Sequence, residues 1–294
     1  MKNKTVNKKD FRILSKISKK SGLSDFWIGG STTYREAAMC MGFNFKNNDY
    51  DVAVIGGFGK YKNVLEILEK NGFTIIKNRP YYLKFHKAFQ TMAVKENILL
   101  DIAIVTDISQ LGHFNWESIF WHFPSGEIHD LYNAIDAMKS KKLLPIISVD
   151  KENPFILSSR FAKLCARFHI DFIKDKRLCK FAKDLSVQIA TWDSKDYFHG
   201  KYAKGHGYFN TLQAIVISSG RTNFISNLMK VGIFQALFPE INKNIIYKPE
   251  VVKKIQKSKN VKDIVSAMEF SLRESSYSLK KFKKRLEVIS DRLG

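Results

Sequence analysis

The sequence predicts an α+β protein, with a small mixed sheet flanked by helices followed by an all-helical region. Three observations carry this. Short apolar runs bounded by glycine pairs, "DFWIGG" and "YDVAVIGG", read as strands ending in tight turns. The eight-residue run "ILLDIAIV" has the length and composition of a strand buried on both faces. Beyond Pro145 the period-two signal fades, and apolar residues recur at three- and four-residue spacing.

Taken in order, residues 1–21 read as a basic, partly helical arm, with Phe11, Leu14 and Ile17 at helical spacing and Gly22 closing it. Residues 22–148 form the α/β region. Within it "YKNVLEILEKNG" has helical periodicity with Asn71 and Gly72 as a stop, while "FTIIKN" and "YYLKFH" alternate as strands do. Residues 149–246 are helical, punctuated by Pro154, Gly220, Gly232 and Pro239. Residues 247–294 form a Lys-rich, amphipathic helical segment.

Lys and Arg outnumber Asp and Glu 49 to 28, a formal charge of +21, so the folded surface attracts polyanions. Nucleic acid is the first candidate, because Lys and Arg that neutralise phosphates release counterions and gain affinity without reading sequence. An anionic membrane surface is the rival. The basic N-terminus lacks the apolar core of a signal peptide, and no stretch reaches the roughly 18 apolar residues of a spanning helix. The expectation is a soluble, cytoplasmic protein with no membrane partner. Cys40, Cys165 and Cys179 are too few and too scattered for a disulfide framework or a Cys-rich zinc site, and read as reduced core thiols. His199 and His206 lack a third ligand at metal spacing and read as packing histidines.

The chemistry lies in the acids. Asp49 and Asp51 are two residues apart in "NDYDVAV", so in a strand both carboxylates point to one face, with Cα atoms about 6.6 Å apart. Two ionised acids there repel unless a divalent cation draws them together. Asp101 sits inside "ILLDIAIV", where a lone carboxylate is costly to bury. If the two strands are neighbours, three carboxylates line one pocket able to hold two Mg²⁺ ions for in-line displacement at phosphorus. The turn Gly29-Gly30-Ser31 adds backbone N–H groups that approach a phosphate closely, and a hydroxyl donor.

The order strand, Gly-Gly-Ser, helix, strand with Asp-x-Asp, later strand with Asp resembles the head of the polymerase-β nucleotidyltransferase superfamily. "NWESIFWHFPSGEIHDLYNAIDAMKSKKLL" is similar to the segment that follows the Arg-Arg-Asp-Phe-Thr-Ile-Asn motif in bacterial tRNA nucleotidyltransferases and poly(A) polymerases. Phe114, Gly126, Glu127, Ile128, Asp130, Lys139 and Lys141 fall at matching spacings. "RFAKLCARFHID" resembles that family's neck helix, with Arg160, Lys163 and Arg167 basic. "SSGRTNFISNLMKVGIFQALFPEI" resembles the later segment with a Leu-Phe-Pro signature and leans toward the poly(A) polymerase branch. The likeness covers roughly residues 25 to 245.

The resemblance implies a nucleotidyltransferase head that holds Mg²⁺ and a triphosphate, followed by a helical neck and body that grip an RNA 3′ end. Gly29, Gly30, Ser31 and Arg35 would contact the nucleotide, as would Arg160 and Arg167 from the neck. Asp49, Asp51 and Asp101 would be the metal ligands and catalytic acids. The implied reaction adds AMP from ATP to RNA, mRNA-like or tRNA. The alternatives are CCA addition to tRNA, which uses CTP as well as ATP, and an RNA-binding pseudoenzyme on the same scaffold. This chain departs from the family pattern at Leu111, Gly112 and His113, which stand where the family has Arg-Arg-Asp, and at Glu117, which stands for Asn. Arg35 matches only with two residues inserted, and Tyr208 stands where a neck arginine reads the base. Each lost cation removes a charge-assisted hydrogen bond of about 1–3 kcal/mol.

Overall fold

The protein is described as a computed structural model. It describes residues 26–40, 49–83, 86–123, 125–193 and 198–290, with Arg12, Leu14, Ser15, Lys19 and Gly42 beside them. The arm 1–21 therefore lies almost wholly outside the described residues, although Leu14 is buried. The chain divides into two compact units, residues 1–146 and 147–294. Together they make an α+β protein: a seven-stranded mixed sheet in the first unit and helices in the second.

In the first unit the strands are β1 (Phe26–Gly29), β2 (Tyr50–Ile55), β3 (Thr74–Leu83), β4 (His86–Lys95), β5 (Ile98–Val105), β6 (Ile119–His122) and β7 (Ile128–Asp130). They lie in the order β3-β4-β5-β2-β1-β6-β7. β2 and β5 run parallel and every other neighbouring pair is antiparallel. A parallel pair needs a crossover, and here the chain between β2 and β5 passes through helix α2 (Phe58–Lys70) and the β3–β4 hairpin. Tyr61, Val64 and Leu68 recur along α2 and are buried, the stripe the sequence periodicity predicts. Helix α1 (Gly30–Cys40) follows β1 without a loop, and α3 (Ala134–Lys139) follows β7.

Alternation along the central strands separates the two faces of the sheet. Phe26 and Ile28, Val52 and Val54, Leu100, Ile102 and Ile104 are at most 3 % exposed and form the core face. The opposite face carries Trp27, Gly29, Asp51, Ala53, Asp101 and Ala103, of which Gly29 and Ala53 are buried and the rest half-buried. β3 is one ten-residue strand where the sequence shows two alternating segments. It runs through Pro80 because it is the sheet edge, where a missing N–H forfeits no ladder bond.

The second unit contains α4 (Pro154–Arg167), α5 (Lys176–Thr191), α6 (Ala203–Ile217), α7 (Arg221–Lys230), α8 (Ile233–Leu237), α9 (Lys243–Ile246), α10 (Pro249–Lys257), α11 (Val261–Ser271) and α12 (Ser276–Leu286). The sequence punctuation marks their ends. Pro154 is the first residue of α4, where its missing N–H has no intrahelical partner to lose, and Asn153 Oδ1 accepts from the Phe155 N–H at 3.0 Å. Gly220 and Gly232 precede α7 and α8, and Pro239 follows α8. Phe161, Phe168, Phe172, Phe234, Phe238 and Phe282 are fully buried and fill the core. Gly207 on α6 lets α4 approach: a Cβ there would stand 2.8 Å from Cβ of Phe155. Residues from 247 onward belong to this same unit, tied to it by Arg285 and Glu240. No helix among the described residues is long and apolar enough to cross a membrane.

Candidate active site

The register of the central sheet brings the acids together. Asp51 on β2 and Asp101 on β5 are direct partners across the parallel pair, so their side chains leave the same face of strands about 4.8 Å apart. Both are half-buried. On the other side of Asp51 its partner is Gly29, and on the other side of Asp101 it is Met92. Two carboxylates so placed repel, by about 1 kcal/mol at 4 Å in water and more as water is excluded. Below them the same face is apolar: Ala53, Ile108 and Phe120 form a small buried cluster, with Trp27, Ile55 and Leu111 packed against it.

The glycine turn closes on Asp51. Gly30 has φ +61, and a Cβ placed on it would lie 1.9 Å from Asp51 Oδ2. The Ser31 N–H, in the first turn of α1, donates to that same Oδ2 at 3.3 Å. Asp51 thus meets a helix N-terminus, where an exposed N–H and the helix dipole both favour a negative charge. The Thr33 hydroxyl contacts the carbonyls of Gly30, at 2.9 Å, and Ile119, at 2.8 Å, fastening the turn to β6. Gly29 lies against the Phe120 ring, 2.7 Å from where its Cβ would be. Sequence reasoning missed Thr33 and Phe120. The Ser-Thr-Thr run after the glycines was a local signal for the first, whereas Phe120 is reached only through the pairing of β6 with β1.

Asp49 lies at a bend one residue before β2 rather than within the strand, because pairing begins at Tyr50. Its backbone carbonyl accepts from the Thr32 hydroxyl at 3.4 Å, which holds this bend against α1. Arg35 is on α1, but its side chain lies outside the described residues. Arg160 and Arg167 are on α4 of the second unit, Arg160 exposed and Arg167 half-buried in the last turn. Gly29, Gly30, Ser31, Asp51 and Asp101 are therefore the predicted residues that one sheet end gathers.

Among the described residues no group of three or more His, Cys, Asp or Glu side chains is arranged to hold a metal ion. Mg²⁺ is commonly held by one or two carboxylates and completed by water and phosphate oxygens. The paired Asp51 and Asp101, beside a turn with no Cβ in the way, fit that donor set.

The segment that departs from the family pattern has a structural use. The Glu117 carboxylate, 7 % exposed, accepts from the N–H groups of His113 at 3.2 Å and Phe114 at 3.3 Å, and lies 3.7 Å from the His113 ring. Leu111 joins the apolar cluster beneath the acids. Asp130 caps α3, accepting from the N–H groups of Ala134 and Ile135, and Gly126 takes φ +78 in the turn between β6 and β7. No protein-family model matches the chain, and no curated protein matches it either.

Proposed function

We propose that the protein is a Mg²⁺-dependent, template-independent nucleotidyltransferase that adds AMP from ATP to RNA 3′ ends. The observation that supports this reading is the side-by-side pairing of Asp51 with Asp101 next to the Gly30-Ser31 turn. Asp51 and Asp101 would hold Mg²⁺, with Asp49 at the rim of the same strand end. The ion, when bound, neutralises charge on the transferring phosphoryl group and makes a hydroxyl more acidic.

The chain's own contribution is placement. The Ser31 N–H donates to Asp51 Oδ2 and orients the carboxylate. Gly30 leaves open the space that a side chain would take from Asp51. The apolar cluster of Ala53, Ile108 and Phe120 lowers the dielectric on one side of the carboxylates, which strengthens their hold on a cation. The +21 charge supplies attraction for the RNA backbone.

The test is an extension assay: a generic RNA, and a tRNA lacking its last three nucleotides, each incubated with Mg²⁺ and each nucleoside triphosphate. ATP-dependent lengthening of the generic RNA, lost in Asp51→Asn plus Asp101→Asn, is expected. Extension restricted to the shortened tRNA with CTP and ATP would instead indicate CCA addition. No extension with any nucleotide would overturn the enzymatic reading.

A second reading, an RNA-binding protein that has kept the scaffold without catalysis, draws support from the segment Leu111–Glu117. There Leu111 and Glu117 serve packing and backbone capping. Calorimetry separates the two: the second reading requires salt-sensitive RNA binding with no Mg²⁺-dependent ATP binding.

A further inference from the structure

A cavity of about 580 Å³ opens within the second unit, between α12, the start of α6 and the Pro239-Glu240 turn. Its volume suits a nucleotide-sized ligand. Tyr277, Lys281, Lys284 and Arg285 recur at helical spacing along α12 and line one side, and Lys204 on α6 lines another. Glu240 is the acidic residue in the lining, and it is already neutralised. Arg285 grips it with Nε at 3.1 Å and Nη2 at 2.8 Å, while Nη1 donates to the Tyr208 hydroxyl at 3.2 Å.

That leaves Lys204, Lys281 and Lys284, none of which meets a carboxylate among the described residues. Tyr277 is 68 % exposed, an unusual position for so large a ring, and the Lys281 ammonium lies 4.3 Å from its centroid. An aromatic face beside unneutralised lysines recognises a planar base joined to phosphate. A membrane surface fits less well, because Phe282 and Leu286 are buried in the core and Leu279 is half-buried, which leaves α12 no exposed aliphatic side chain to insert.

We propose that this cavity holds one nucleotide unit of single-stranded RNA, its base on Tyr277 and its flanking phosphates on Lys204, Lys281 and Lys284. The proposal rests on the reading of RNA as partner and adds the place where a strand is gripped within residues 147–294.

The experiment measures fluorescence anisotropy of a labelled single-stranded oligoadenylate titrated with the full chain, in EDTA and without nucleoside triphosphate. Tyr277→Ala should weaken binding about tenfold and Tyr277→Phe should retain it. Lys281→Ala plus Lys284→Ala should lower the slope of log affinity against log salt by roughly 1.4, about 0.7 for each phosphate left without its lysine. The pair Lys253→Ala plus Lys257→Ala, exposed on α10, should leave affinity within about twofold.

The proposal is overturned by wild-type affinity in Tyr277→Ala with an unchanged melting temperature, or by equal effects of the two lysine pairs, which would indicate a diffuse basic surface. It is also overturned if free ATP competes as well as the oligonucleotide at equal nucleotide concentration, or if the substitutions abolish binding to phosphatidylserine vesicles and leave RNA binding intact. The assay contains no divalent cation, so its failure with extension activity intact removes the cavity alone. Loss of extension with this binding intact removes the catalytic reading alone.

Discussion

Gly30 and Asp51 occupy one space between them: the carboxylate oxygen Oδ2 stands 1.9 Å from the point where a Cβ on residue 30 would sit. A glycine at φ +61 and an acid twenty-one residues later are thereby a single structural unit, joined further by the Ser31 N–H.

Gly30→Ala should therefore fail twice. The left-handed backbone alone costs about 1–2 kcal/mol with a Cβ present, and the methyl must displace Asp51. Urea denaturation should show a loss of at least that size, and the proposed Mg²⁺-dependent extension activity should fall further than the stability loss explains.

The Asp51–Asp101 pair should respond to divalent cation. Thermal melting of the wild-type protein should rise with Mg²⁺, by about 1.4 kcal/mol of stability at ten times the dissociation constant. Asp51→Asn plus Asp101→Asn should abolish that rise, read as the same melting temperature with Mg²⁺ and in EDTA. A double variant that still gains stability from Mg²⁺ would place the cation elsewhere.

Arg285 holds Glu240, whose side chain is 6 % exposed, and Tyr208, which is 3 % exposed. Arg285→Ala strands a buried carboxylate and should cost about 2–4 kcal/mol in chemical denaturation. Arg285→Lys should recover less than half of it, since an ammonium cannot reproduce the forked contact to both carboxylate oxygens.

The same cluster gives an alkaline signature. Burial pushes the Tyr208 phenol above its ordinary value near 10, offset in part by the hydrogen bond from Arg285. The folded protein keeps a proton that the unfolded chain releases, so this contribution is complete below about pH 10 and is lost as pH rises through the folded value. Tyr208→Phe should remove that part of the alkaline loss of stability, and one late-ionising phenolate should disappear from the absorbance titration.

Cys165 is buried and burial raises its thiol well above the usual value, whereas Cys179 is half-buried. Thiol labelling of the native protein should reach Cys179 before Cys165, with Cys165 reacting at the rate of unfolding. Labelling of Cys165 at the rate of Cys179 would contradict its placement in the core.

Much of the fold can be read locally. The glycine turns, the helical stripe of α2 and the stops at Pro154, Gly220, Gly232 and Pro239 are short-range signals, decided by φ preferences and apolar spacing over a few residues. The two alternating segments on either side of Pro80 belong to the one strand β3, and its edge position makes that proline harmless. In the candidate site, Gly29, Gly30, Ser31 and the Asp-x-Asp pair stand out in sequence. Phe120 has no local signature, and Glu117 caps the N–H groups of His113 and Phe114 from three and four residues away without the Ser or Thr that marks such a box in sequence.

By itself the sequence determined an α+β chain with a mixed first half, a helical second half, a strongly basic surface and three acids in strand-like surroundings. These follow from composition and from periods of two and 3.6 residues. Only the tertiary structure decided that Asp51 faces Asp101, that Asp49 stands just outside the strand, and that Arg285 reaches across 45 residues to Glu240. Strand register and the packing of distant helices are set by contacts between segments far apart in the chain, and no window of neighbouring residues contains them.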